Sequence, residues 1–246
     1  MIKLNCDMGE SFGAWKMGLD AEIMPLVDMS NTACGFHASD PITMDRTVRL
    51  AVQNGVSIGA HPGYPDLVGF GRRDLKCSSE EIEKFVLYQI GALNAICKSN
   101  KTKIDYVKPH GALYNKMMKD TEVFEAIVKA ISKYNKNLKL MILSSSKNSH
   151  YVELAKAFEI ELLFEVFADR SYMDDGSLMP RSMPNAVLGS SDEVLERLDF
   201  LIKNGAIKSH TGKELKLKVD CMCVHGDNAH ALGIVKAMRE YLIDRV

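Results

Sequence analysis

The residues best suited to chemistry are concentrated in one loop, residues 59–73, with the sequence GAHPGYPDLVGFGRR. The loop combines an imidazole, a carboxylate and two adjacent guanidiniums, at His61, Asp66, Arg72 and Arg73. Its prolines exclude a helix, and its glycines allow sharp turns. The loop follows a short apolar run that is typical of a buried strand. Because loops at strand ends often carry the chemistry of α/β proteins, we predict that this loop belongs to a functional site.

Polar groups of the same kinds follow several other apolar segments of strand length. The candidates are, in chain order, Asn5, Asp7, Glu10, Asn31, His37, Lys108, His110, Asn115, Glu165, Asp169, Arg170, His225, Asp227 and His230. Most of them, taken singly, have an ordinary structural explanation, such as a turn cap for Asp7. Glu165 is harder to explain in that way, because a carboxylate within an apolar run needs a partner or a shifted pKa. The recurrence at successive strand ends therefore favours a shared site.

These residue types are compatible with more than one chemistry. Four of them could bind a divalent metal or equally act as general acids and bases, namely Asp7, His37, His61 and Asp227. Three cations could hold a carboxylate or a phosphate, namely Arg72, Lys108 and Arg170. A site of mixed charge suits hydrolysis of an amide in a small anionic molecule.

The side chains meet only if the fold brings the strand ends together. The predicted strands are residues 1–7, 28–34, 56–60, 104–109, 138–143, 160–167 and 219–224, with amphipathic helices between them. Helix-start signals occur at Asp40 with Pro41, at Ser78 with Glu81 and at Ser190 with Glu193. Apolar strands that alternate with helices are typical of a parallel sheet. We predict a single α/β domain over residues 1–246, a parallel β/α barrel whose strand ends share one mouth, with a doubly wound open sheet as the alternative.

Composition excludes several classes of protein. The net charge of the 246-residue chain is −1, so no global field attracts nucleic acid or an anionic membrane. No apolar run approaches the roughly 20 residues that cross a bilayer, and the first residues lack a signal-peptide core. The six cysteines include no Cys-x-x-Cys pair, which favours reduced core thiols over a zinc knuckle and predicts a cytoplasmic protein.

Common nucleophile and nucleotide motifs are missing from the sequence. There is no Gly-x-Ser-x-Gly elbow, and Gly69 with Gly71 lacks the third glycine of a dinucleotide fingerprint. The segment around Gly205, Gly212 and Lys213 misses the spacing of a phosphate-binding loop, and Glu214 occupies its Ser/Thr position. An ATP site confined to this chain therefore has no motif support.

Six stretches together resemble the LamB/YcsF family of lactam-utilisation proteins, the group of the A subunits of bacterial 5-oxoprolinases. They are LNCDMGESFG (4–13), NTACGFHASDP (31–41), GAHPGYPDLVGFGRR (59–73), VKPHGALYN (107–115), EVFADRSY with DDGSLMPR (165–181) and CVHGDNAHA (223–231). They run nearly end to end and in order. Ser39 stands where a glycine is expected.

The resemblance implies a seven-stranded barrel of the glycoside hydrolase/deacetylase type and ATP-dependent opening of 5-oxoproline to glutamate with partner subunits B and C. ATP is then shared with those partners. Our hypotheses for catalysis are Asp7, His61, Lys108, His110 and Asp227. Our hypotheses for substrate binding are Asn5, Arg72, Arg73, Glu165, Arg170 and His225. A divalent metal, Mg²⁺ or Zn²⁺, would use Asp7, His37 and His61.

Two alternatives remain open from the sequence, and so does assembly into a homo-oligomer. One is a metal-dependent deacetylase on the related barrel, which needs no ATP. The other is a non-catalytic subunit that binds substrate or organises its partners.

Overall fold

The structure, a computed structural model, describes residues 2–180, 182–224 and 231–244. Its strands are β1 (Lys3–Met8), β2 (Met29–Ala33), β3 (Ser57–His61), β4 (Tyr106–Val107), β5 (Lys139–Leu143), β6 (Leu162–Phe167), β7 (Ala206–Lys208), β8 (Glu214–Lys216) and β9 (Cys221–Val224). Its helices are α1 (Asp20–Ile23), α2 (Pro41–Asn54), α3 (Ser79–Ser99), α4 (Gly111–Met117), α5 (Thr121–Tyr134), α6 (Asn148–Lys156), α7 (Ser191–Asn204) and α8 (Ala231–Ile243), with a 3-10 turn at Met24–Leu26.

Within the described part of the chain, seven strands close a barrel in the order β1-β2-β3-β4-β5-β6-β9. Every neighbouring pair is parallel, and β9 closes the barrel between β6 and β1. The register sets Asp7 beside Asn31, and Asn5 beside Cys223. The predicted parallel β/α barrel is confirmed, and the open-sheet alternative is wrong.

The predicted helix starts are present, and each has a local cause. The Asp40 carboxylate accepts hydrogen bonds from the backbone N–H groups of Ile42 and Thr43, and Pro41 occupies the first turn. The capping boxes at Ser78 and Ser190 both form, with Glu81 and Glu193 as their reciprocal partners. None of the helices in the described ranges has the length and apolarity needed to span a bilayer.

The structure differs from the sequence-based expectation in three places. The strand expected over 104–109 is only the two residues of β4, although the N–H groups of Lys108 and His110 still bond to the carbonyls of Ala60 and Pro62. Helix α4 was not predicted; its N-cap, His110, makes no side-chain capping bond that a sequence signal could reveal. The antiparallel β7–β8 hairpin was also missed, because three-residue strands show too little alternation to detect.

The barrel interior below the mouth is filled by a few large side chains. Met29, Met141 and Cys221 pack around Tyr106, which is 1% exposed. The Tyr106 ring lies over Gly59, where a Cβ atom would come within 2.2 Å of it. The Tyr106 hydroxyl donates a hydrogen bond to Asn31 Oδ1 at 2.7 Å. Gly59 is therefore required for the tyrosine to fit, and the tyrosine carries a polar atom up towards the strand ends.

We predict that Gly59→Ala lowers the free energy of unfolding by about 3 kcal/mol, because the new methyl group overlaps a ring that cannot withdraw without losing its bond to Asn31. Chemical denaturation measures this. The double variant Gly59→Ala/Tyr106→Leu should recover part of the loss. Gly91→Ala in α3 is the matched control, since no atom lies within 4 Å of its built Cβ, and it should stabilise by about 0.5–1 kcal/mol. Equal stability of Gly59→Ala and the wild type would contradict the packing described.

Candidate active site

The C-terminal ends of the barrel strands surround a cavity of about 490 Å³. Among its lining residues are Asp7, Glu10, His61, Arg72, Lys108 and Arg170. These side chains come from the C-terminal ends of β1 and β3 and from the segments after β1, β3, β4 and β6, so distant parts of the sequence meet at one mouth. Of the predicted catalytic residues, Asp7, His61, Lys108 and His110 are brought together here. Asp227 and His225 lie outside the described residues.

Lys108 is the centre of the polar contacts at the bottom of this cavity. Its side chain is 3% exposed, and Nζ lies 3.0 Å from Glu165 Oε2 and 3.3 Å from Asp7 Oδ1. Nζ also donates to Asn5 Oδ1 at 3.2 Å. Burial disfavours the charged amine, but Asp7 foremost, together with Glu165, outweighs this and raises the pKa of Lys108 well above its usual value. Lys108 is therefore a fixed cation at neutral pH.

A layer of amides beneath the cavity holds Asp7 and Lys108 in position. Asn31 Nδ2 donates to Asp7 Oδ1 at 2.7 Å and to Asn5 Oδ1 at 2.8 Å. Asn5 and Glu165 are completely buried, and neither lines the cavity. The substrate contacts predicted for these two residues are therefore not supported by the geometry, because other side chains separate them from the open space. Their contacts instead orient Lys108.

Three histidines and a glutamate form a second group on one side of the cavity. Ligand atoms of Glu10, His37, His61 and His110 all lie within 4.8 Å of one another. His110 Nδ1 is 2.9 Å from His61 Nε2 and 3.5 Å from Glu10 Oε1. His37 Nε2 is 3.3 Å from the same glutamate oxygen, while its Nδ1 has no hydrogen-bond partner among the described residues. The predicted metal set of Asp7, His37 and His61 omitted both Glu10 and His110.

Main-chain carbonyls fix the orientation of two of these rings. His61 Nδ1 donates to the Lys108 carbonyl oxygen at 2.7 Å, and His110 Nε2 donates to the Phe70 carbonyl oxygen at 2.9 Å. The backbone comes close enough because residue 71 is glycine: a Cβ there would approach the His37 Cβ within 2.7 Å. Burial lowers the pKa of His37 and of His110 well below the usual value, with nearby histidines adding to the effect.

The three predicted arginines have different surroundings. Arg72 lies at the cavity edge, with its guanidinium 5.0 Å from the centre of the Phe70 ring. Arg170 also lines the cavity, and it donates to the carbonyls of Met179 and Ala186. Arg73 instead forms an ion pair with Asp66 and does not line the cavity, so its predicted substrate role is not supported.

The structure explains two residues near the site, Tyr114 and Ser39, in ways that the sequence patterns did not. Tyr114, on α4, lines the cavity and is buried; its pKa is raised well above the usual value by burial and by the Glu165 carboxylate. It was missed because α4 was missed. Ser39, which stands where a glycine was expected, has φ of +75°, in the left-handed region that favours glycine. The backbone conformation at residue 39 thus explains why a glycine is expected there.

Comparison with known proteins agrees with the sequence resemblance. The sequence profile of the LamB/YcsF family matches residues 2–245. The chain belongs to this family. Among LamB/YcsF relatives, a protein from Vibrio campbellii that is named as the A subunit of 5-oxoprolinase is 54% identical, and the match covers 98% of this chain and 95% of the relative. A protein from Pseudomonas aeruginosa, named as a third 5-oxoprolinase A subunit, is 52% identical, covering 98% and 96%.

One solved structure shares the whole fold. The crystal structure of a lactam utilization protein from Thermus thermophilus superposes with a TM-score of 0.92 at 40% identity, covering 99% of this chain and 96% of that one. The family resemblance drawn from the six sequence stretches is therefore confirmed.

The buried Lys108 ammonium gives a stability test of the site. We predict that Lys108→Met lowers the free energy of unfolding by about 3 kcal/mol at pH 8, because Asp7 and Glu165 lose their cation. Chemical denaturation of the variant and the wild type at pH 8 measures this.

Two further variants serve as controls for that experiment. Lys98→Met, at an exposed position of α3, should change the free energy of unfolding little. Lys108→Met/Glu165→Gln should recover stability at pH 8, since one of the two carboxylates that lost their cation is gone. A double variant no more stable than Lys108→Met would mean that packing, rather than charge, explains the loss.

Proposed function

We propose that this chain is the A subunit of an ATP-dependent 5-oxoprolinase, which opens the lactam ring of 5-oxoproline to give L-glutamate. The observation that carries the proposal is the cavity in which a fixed Lys108 cation lies 3.3 Å from the Asp7 carboxylate, in a chain related over almost its whole length to proteins of that name. Hydrolysis of an amide needs both a group that accepts a proton from water and a cation near the developing oxyanion.

The charges at the cavity suit the substrate. 5-Oxoproline carries one carboxylate, and Arg72 and Arg170 both line the cavity above Lys108. Either guanidinium can bind a carboxylate through paired hydrogen bonds. Arg72 is the more accessible of the two to a substrate, because it is solvent-exposed while Arg170 is buried.

The proposed reaction consumes one ATP and two water molecules. A lactam is a poor electrophile, and transfer of the γ-phosphoryl group of ATP to the lactam oxygen, with release of ADP, activates its carbon. Water adds to that carbon and gives up a proton to Asp7, while Lys108 stabilises the negative charge of the transferred phosphoryl group. The C–N bond then breaks as the new hydroxyl loses its proton to form a carbonyl and the nitrogen takes up a proton, leaving γ-glutamyl phosphate. A second water releases phosphate and glutamate.

Asp7 is a better base than His61 on geometric grounds. The Asp7 carboxylate lines the cavity and is 16% exposed, whereas His61 is 1% exposed and its Nε2 faces His110. His110 also donates to a main-chain carbonyl. The histidines are therefore less suited to exchanging protons with substrate than the sequence-based hypothesis assumed.

ATP handling is assigned to the multi-subunit complex rather than to this chain alone. The sequence lacks a phosphate-binding loop, and the relatives are named as subunits. Two partner subunits, B and C, would then deliver the phosphoryl group or the activated lactam to the mouth of this barrel.

We predict that Asp7→Asn and Lys108→Ala each reduce ATP-coupled turnover of 5-oxoproline at least about 100-fold, since each removes a group that acts in the transition state. The assay measures glutamate and phosphate release by the enzyme reconstituted from this chain and its two purified partners. Arg72→Ala should mainly raise KM, because it removes binding to a carboxylate that does not react. Lys98→Ala is the matched exposed control and should retain full turnover.

The outcomes separate the proposal from its two rivals. Normal turnover in Asp7→Asn and Lys108→Ala, with the three-component complex still formed, would indicate a non-catalytic binding role. Release of acetate from an N-acetylated sugar without ATP, lost in the same variants, would indicate a deacetylase instead.

A further inference from the structure

The hydrogen bonds that His61 and His110 make to carbonyls leave one nitrogen of each ring facing the other, and this pair needs a positive charge. A carbonyl oxygen only accepts, so His61 carries a hydrogen on Nδ1 and His110 carries one on Nε2. In neutral rings the other two nitrogens then have only lone pairs, and these nitrogens face each other at 2.9 Å. Two opposed lone pairs at that distance repel. Either a metal ion lies against both nitrogens or an extra proton lies between them.

We propose that His61 Nε2, His110 Nδ1 and Glu10 Oε1 bind one divalent transition-metal ion of the zinc class. Histidine ligands of metals usually donate their second N–H to a carbonyl or carboxylate, as both rings do here. Two imidazoles and one carboxylate are typical of catalytic zinc and related sites, and unlike Mg²⁺ sites. The assignment does not depend on the proposed function, although the ion would lie in the same cavity.

The distances suit an ion after a modest adjustment of the side chains. Metal–ligand bonds of about 2.0–2.1 Å in a tetrahedral arrangement place ligand atoms about 3.3–3.4 Å apart. The distance from His110 Nδ1 to Glu10 Oε1 is 3.5 Å, and the two imidazole nitrogens are 2.9 Å apart. Ligand atoms of the three residues all lie within 4.8 Å of one another, so side-chain relaxation of about an ångström, mainly between His61 and Glu10, would complete the geometry.

His37 belongs to the support of this site rather than to its ligands. Its ring is stacked on that of His110, with centroids 3.7 Å apart and an angle of 3° between the planes. An ion binds in the plane of an imidazole ring, so an ion in the His110 plane lies far out of the His37 plane. His61, by contrast, is inclined by 87° to His110. His37 instead contacts the Glu10 carboxylate at 3.3 Å and can orient it.

The charges around the site also favour a bound cation. The carboxylates of Asp7 and Glu165 contact the Lys108 ammonium, whereas the carboxylate of Glu10 contacts the imidazoles of His37 and His110. A carboxylate beside imidazoles is a donor set that suits a divalent ion. Asp7 Oδ2 lies 3.4 Å from His61 Nε2, and this places it beside the ion, where it could take a proton from a water bound there.

The test is Zn²⁺ binding to the full chain after treatment with a chelator, followed by calorimetry and by elemental analysis of the repurified protein. We expect uptake of one ion per chain. His61→Ala and His110→Ala should each weaken binding more than about 100-fold. His37→Ala, which removes a supporting contact, should weaken it only about 10- to 100-fold. The matched control is His150→Ala on α6, at an exposed position, and it should bind like the wild type.

A second measurement covers the case in which the histidine variants do not fold. Wild-type protein loaded with Co²⁺ should show the visible bands of a nitrogen–oxygen site and no thiolate-to-cobalt charge-transfer band, which any of the six cysteines would produce. No uptake by wild-type protein, or a thiolate band, would overturn the proposal. So would a loss of affinity in His37→Ala as large as that in His61→Ala. Absence of ion together with a proton shared between His61 and His110, detected by NMR, would identify the proton as the occupant and overturn the metal assignment.

Discussion

The arrangement of the site depends on a buried ammonium held between two carboxylates. Lys108 follows β4, Asp7 lies near the end of β1 and Glu165 lies in β6, so one cation ties three strands of the barrel together at its mouth. A charge in such a place is tolerated only because its partners surround it. The same contacts keep Lys108 charged and fix its position beneath the open cavity. The ion pairs of Lys108 with Asp7 and Glu165 therefore both stabilise the barrel and position the charged groups of the site.

Close packing of backbone against side chains completes the mouth. Tyr106 occupies the interior because Gly59 leaves room for its ring, and its hydroxyl bonds to Asn31, which in turn binds Asp7. On the other side, Gly71 brings the loop onto His37 and His110. These contacts connect the filling of the barrel with the orientation of the polar groups, so that a change of one methyl group below the site would be felt within it.

Much of this arrangement could be predicted from the sequence, for identifiable reasons. Strand ends in a parallel barrel converge, and that rule alone brings Asp7, His61 and Lys108 together from widely separated parts of the chain. How deeply each side chain is buried, and towards which neighbour it points, could not be predicted. Asn5 and Glu165 have the same strand-end pattern as Asp7, yet they lie beneath the cavity, and Arg73 follows Arg72 but pairs with Asp66. The alternation of side chains along a strand and the residue type do not determine whether a side chain reaches the cavity or contacts another residue instead.

The most direct measurement for the central claim is a crystal structure of the chain with 5-oxoproline. The account predicts the ligand in the cavity at the strand ends, with its lactam carbonyl carbon next to the Asp7 carboxylate, its lactam oxygen next to Lys108 and its carboxylate directed towards Arg72. A ligand bound elsewhere on the chain, with Asp7 and Lys108 out of its reach, would contradict the account.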